Sequence, residues 1–195
     1  RASSGIINVG DVVDGYGYSE VDPTGVFDFD VWEFSLSAPS LILIHVYNVG
    51  GHTEPPITNV VLARNGCVGE PEIEVVTEIG SIASGGRGVI FTGLPAGNYC
   101  IWAVPQIWTD DTTWMGYTLA LSRPLLLSAA AANLGTGTVG GVRFQAGDIL
   151  AHSRLNNGSE QWVMLFDASD VGITKNVTNI AAGGGDELLL SLGAN

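Results

Sequence analysis

Apolar and polar residues alternate along most of this chain. Between residues 27 and 36, Phe27, Phe29, Val31, Glu33 and Ser35 fall on one face of an extended strand. Asp28, Asp30, Trp32, Phe34 and Leu36 fall on the other. A period of two predicts a strand with distinct faces. The next run, LILIHVYNV (41–49), is rich in β-branched and aromatic residues, and its length fits a buried sandwich strand better than a helix. ITNVVLAR (57–64), IEVVTEI (73–79), GVIFTGL (88–94), NYCIWAV (98–104) and MGYTLALS (115–122) follow. Turn-rich stretches separate them: NVGGHTEPP, RNGCVGEP, SIASGGRG, LPAGN and TDDTTW. Short strands punctuated at about ten-residue intervals predict an all-β, antiparallel sandwich or barrel. No amphipathic helix is predicted: SAAAAN (128–133) is too short and runs into glycines.

The texture changes after Ser122. Residues 124–146 are small, glycine-rich and almost uncharged, and read as a connection with one strand at PLLL. GDILAHSRL, EQWVMLFDASDVG and GDELLLSLGAN then supply three more strands. The reading is a sandwich over 1–123, a connection over 124–146 and a small β unit over 147–195. A core of about fifty residues is marginal alone, so this second unit needs the first, a neighbouring chain or further sequence. GDIL and GDELLL open in a similar way and suggest a repeat.

Charge narrows the partners. Seven Lys and Arg stand against twenty Asp and Glu, a net charge of −13. A phosphate backbone and an anionic membrane surface would both be repelled. No apolar run is long enough for a membrane-spanning helix. RASSG has no apolar region behind it, so the chain is expected to begin at a processed end. The two cysteines, Cys67 and Cys100, are expected to pair, as suits an extracellular protein.

Catalytic signatures are sparse. His45, His52 and His152 form no metal-ligand spacing, and His45, inside an apolar strand, reads as a packed residue. No GxSxG is present, and Cys100 lies within a strand rather than at a helix N-terminus. Among the many carboxylates, Asp28 and Asp30 are the candidate calcium ligands, against the plainer reading of solvated turn residues. Trp102, Trp108, Trp114 and Tyr117 gather around one loop, where Trp108 and Trp114 are candidates for stacking on sugar rings; ordinary packing is the alternative. Asn157-Gly-Ser and Asn176-Val-Thr are candidate glycosylation sites if the protein is secreted by a glycosylating cell.

FTGLPAGNYCIWAVPQ (91–106) reads as a hairpin: Pro95 and Gly97 make the turn. Tyr99, Ile101 and Ala103 then face one side, and Cys100, Trp102 and Val104 the other. Apolar groups on both sides predict a central strand. This stretch, with DFDVWEFSL (28–36), SLILIHVYN (40–48), TNVVLARNGC (58–67) and GYTLALS (116–122), resembles the bacterial pre-peptidase C-terminal domain family. The likeness rests on Asp28, Asp30, Trp32 and Phe34, on Leu94, Ala96, Gly97, Tyr99 and Ile101, and on Gly116, Tyr117 and Leu119, within residues 5–122. It implies a jelly-roll-like sandwich and a non-catalytic appendage of a secreted protein. The tail is similar to pieces of propeller-type repeats of bacterial surface proteins.

The function expected is therefore a non-enzymatic extracellular module for adhesion or assembly. Its partners are other copies, surface proteins or glycans. SGIINVGDVV, with Ile6, Ile7, Val9, Val12 and Val13, could add a strand to a neighbouring subunit and build a fibre. A carbohydrate-binding module is the alternative, and a hydrolase fragment ranks last.

Overall fold

The strands expected from alternation are present, and their order in space explains the pattern. The computed structural model describes residues 2–19, 29–51, 58–64, 67, 74–82, 85–105, 113–128, 137–139, 142–144, 148–166 and 188–192. Every regular element among them is a strand: β1 (Ala2–Ile6), β2 (Val12–Ser19), β3 (Phe29–Leu36), β4 (Ser40–Gly51), β5 (Thr58–Arg64), β6 (Glu74–Ile82), β7 (Arg87–Leu94), β8 (Gly97–Pro105), β9 (Thr113–Ser122), β10 (Leu125–Ser128), β11 (Gly137–Val139), β12 (Val142–Phe144), β13 (Ile149–Arg154), β14 (Glu160–Phe166) and β15 (Leu188–Leu192).

Strands β2 to β9 form a jelly roll. One five-stranded sheet runs β1-β3-β8-β5-β6 and the other β15-β7-β4-β9-β2. The antiparallel pairs are β2 with β9, β3 with β8, β4 with β7 and β5 with β6. Thus the ribbon β2–β5 doubles back on β9–β6, and successive pairs alternate between the sheets. That is the double Greek key of a jelly-roll sandwich. Two strands lie outside the eight. β1 pairs with β3 and β15 with β7, both in parallel.

The topology corrects one expectation. Residues 91–106 are not a hairpin, because β7 and β8 belong to different sheets. Pro95 and Ala96 carry the chain across the sandwich. The strand assignment itself holds: β8 is the central strand of its sheet. Its Tyr99, Ile101 and Ala103 enter the core between the sheets. The Tyr99 hydroxyl donates to the Pro95 carbonyl at 2.8 Å and pins the crossing. SGIINVGDVV likewise divides into β1, a turn at 8–11 and the start of β2.

A third layer explains LILIHVYNV. Ile42 to Val46 are all buried, with no alternation. Ile42, Ile44 and Val46 face the core between the two large sheets. Leu43 instead packs with Val89 against Leu150, Ala151 and Val163. Those last three belong to a separate three-stranded sheet, β10-β13-β14. β4 is therefore covered on both faces, which demands apolar residues at consecutive positions. Within the stretch read as a connection, β11 and β12 pair as a two-stranded ribbon. A propeller blade finds no support in this arrangement, since β15 lies in the sandwich beside β7.

Candidate functional site

Asp30 sits on β3 and points into the sandwich, only 5% exposed. Its Oδ2 accepts from the Tyr117 hydroxyl at 2.8 Å and from the Tyr16 backbone N–H at 2.9 Å. The Trp32 indole N–H donates to the Tyr117 hydroxyl oxygen at 2.9 Å. These bonds join β3 of one sheet to β2 and β9 of the other. Burial first, and the Asp30 charge second, hold the Tyr117 hydroxyl protonated far above its ordinary range. The carboxylate is therefore spent on a cross-sheet tie. Removing the hydroxyl in Tyr117→Phe leaves the Trp32 N–H without this acceptor, an expected cost of about 2 kcal/mol in urea unfolding.

Gly15 makes room for that tie. It lies directly opposite Tyr117 in the β2–β9 register. A Cβ at residue 15 would collide with the Tyr117 ring and hydroxyl. Because Tyr117 is held at its far end, it cannot swing clear. Gly15→Ala is expected to cost about 2 kcal/mol by overpacking, with the loss abolished in a Gly15→Ala, Tyr117→Ala double variant. A double variant as unstable as the sum of its parts would reject this pairing.

A second buried polar chain joins the sandwich to the third layer. His45 Nδ1 lies 3.1 Å from Gln161 Oε1. Gln161 Nε2 donates to Ser122 Oγ at 3.0 Å, and Ser122 Oγ to Ser153 Oγ at 2.8 Å. The link thus runs β4–β14–β9–β13. The His45 ring also stacks on Tyr47 at 4.6 Å. Desolvation, the largest influence, together with the nearby Arg87 charge lowers the His45 pKa to about 4; the Gln161 hydrogen bond works the other way.

The β13–β14 turn docks on the 8–11 turn. The Asn156 backbone N–H donates to the Gly10 carbonyl at 2.7 Å, and its side-chain amide to Asp11 Oδ1 at 2.7 Å. The Asn156 bond, helped by those from Asn8, lowers the Asp11 pKa. Gly10 has φ of +104°, a backbone conformation that L side chains rarely adopt. On its far side, the Gly10 N–H donates to the Leu121 carbonyl at 2.7 Å.

The cysteines pair as expected. Cys67 and Cys100 form a disulfide with a Cα–Cα distance of 5.5 Å. It fastens Cys67, three residues beyond β5, to β8, where Cys100 is fully buried.

Trp114 lies in β9 opposite Tyr18, not in the preceding loop. The proposed sugar platform also needs Trp108, which falls outside the described residues. Asp28 and Asn176 also fall outside the described residues. Asn157 is exposed in the β13–β14 turn. Its Oδ1 accepts from the Ser159 N–H at 2.9 Å and the Ser159 hydroxyl at 2.6 Å. Among the described residues, no three His, Cys, Asp or Glu side chains converge to hold a metal ion. Nor is any helix among them long and apolar enough to cross a membrane.

What the sequence reading missed is the partnership of distant groups. Nothing local to Gln161 or Ser122 marks them as partners of His45. The signal that was present is a lone histidine within the apolar run 41–46, which requires a buried acceptor.

No family model and no curated protein matches the chain. The solved structures give a likeness: the crystal structure of the pre-peptidase C-terminal domain of collagenase from Bacillus anthracis. It is 14% identical, covers 63% of this chain and 97% of that one, and has a TM-score of 0.43.

Proposed function

We propose that this chain is a non-catalytic, extracellular structural module that assembles or adheres through the edges of its sheets. The observation that carries this reading is the pair of added strands. A jelly roll of eight strands leaves β3 and β7 as sheet edges with unpaired backbone groups. Here each is covered in parallel by a strand from outside the eight, β1 on β3 and β15 on β7. Open edges are templates for further strands, and covering them by strand addition is a recurrent way to join chains. The disulfide supports an oxidising, extracellular setting. A net charge of −13 favours solubility outside the assembled contacts.

Light scattering and negative-stain imaging of the full chain test the reading. Species larger than one chain, increasing with concentration, are expected. A monomer across the whole range would reject assembly between copies.

A further inference from the structure

We infer that β15 is an exchangeable strand, and that the β7 edge accepts residues 188–192 from a second copy of this chain. The inference rests on the assembly reading above and names the surface that performs it. Strand addition from SGIINVGDVV would instead use β1 as the donor. The geometry favours β15.

β1 is closely tethered. It leads directly into Ile7, whose N–H donates to the Glu33 carbonyl at 2.9 Å. Gly10 follows, held by Leu121 on one side and Asn156 on the other. To leave β3, β1 would have to hinge at a buried residue: Ile7 is 1% exposed. The clamp starts within two residues of the strand's end.

β15 is joined to the preceding described strand over a longer stretch of chain. The preceding described strand, β14, ends at Phe166, and β15 begins at Leu188. The 21 intervening residues (167–187), fully extended, reach about 70 Å. That span exceeds the width of a two-sheet sandwich, whose sheets pack about 10 Å apart. A length of 21 residues is thus sufficient for β15 to pair with its own β7 or with that of a neighbour. The pairing is the same in both cases: Leu188 opposite Arg87 through Leu192 opposite Phe91. Exchange costs no strand contact, so local concentration and the tether decide between the two forms.

β15 and β7 lie against β6, while β2 lies against β3 and β8. Donor strand and acceptor edge are different segments of the chain, so a one-way transfer is a heterologous contact. Such contacts propagate head to tail unless they close reciprocally.

Cysteine trapping tests this. The full chain has two cysteines, already bonded to each other. Phe91→Cys and Leu192→Cys chains are prepared separately, refolded together without reductant, oxidised and run on non-reducing gels. Covalent dimer several-fold more abundant in the mixture than in either preparation alone is expected. The Phe91→Cys, Leu192→Cys double variant should yield a ladder, or a covalent dimer if exchange is reciprocal; either outcome supports exchange. As a check independent of those substitutions, a chain ending at residue 187 should bind a labelled peptide of residues 186–195. Cross-linked monomer alone, or no peptide binding, overturns the inference. If scattering still shows assemblies in that case, the assembly reading stands and another surface carries it. If scattering also shows only monomer, both fail.

Discussion

Removing the disulfide, with Cys67→Ser and Cys100→Ala, is expected to cost about 4 kcal/mol of unfolding free energy. The bond joins positions 33 residues apart, so in the unfolded chain it closes a sizeable loop. The entropy denied to the unfolded state by a loop of this length accounts for that figure. Cys100 lies fully buried in the central strand of its sheet, so the bond also anchors Cys67 to that strand. For a domain of this size, the corresponding loss is about 10 °C in melting temperature. Urea unfolding of the oxidised wild type against the double variant checks it. A loss below about 1 kcal/mol would mean that the unfolded chain is already restrained there.

Acid is the second large effect. The His45 pKa in the fold is lowered from 6.5 to about 4. An unfolded chain therefore takes up a proton at His45 near pH 6.5, whereas the folded chain resists until near pH 4. Stability is fully present above pH 6.5 and is lost as pH falls toward 4. The pKa difference corresponds to about 3 kcal/mol. Asp11, whose pKa is also lowered, acts in the same direction but below its ordinary value of 3.8, so the two windows separate. Urea midpoints between pH 7 and 4 should fall for the wild type. His45→Gln should start less stable, because the Gln161–Ser122–Ser153 chain is disturbed, but its profile over that window should be flatter. An unchanged slope in His45→Gln would show that the loss comes from elsewhere. The Trp162 fluorescence of β14 offers a local probe, because β14 contributes Gln161 to the same link.

The fold was largely legible because strands such as β3 write their own alternation. Phe34 and Leu36 face the core while Glu33 and Ser35 face solvent, and a period of two records that directly. The two faces of β8 were readable for the same reason. Sheet membership was not. A turn such as Leu94–Gly97 has the same composition whether it joins neighbours or crosses between sheets, and only long-range pairing decides. The third layer left a mark, the unbroken burial of Ile42–Val46, but a run of apolar residues does not name what covers it. Asp30 shows the limit for single side chains. In sequence it resembles other acidic loop residues. Its burial follows from being placed on the same face of β3 as Trp32 and Phe34, with Tyr117 and Tyr16 arriving from strands far away in the chain.

The doubled ribbon also dictates an order of assembly. β5 and β6 are joined by nine residues, 65–73, while β4–β7, β3–β8 and β2–β9 bring together progressively more distant segments. Loop closure becomes costlier with each pair, so folding is expected to proceed outward from the β5–β6 pair. Cys67 lies between those two strands in sequence and Cys100 in β8, opposite Ala63 of β5. The two sulfurs meet only when β8 has arrived beside β5. Oxidation of this one pair is thus a built-in clock, and the moment at which the thiols disappear during refolding marks the step when the ribbon has closed past its midpoint.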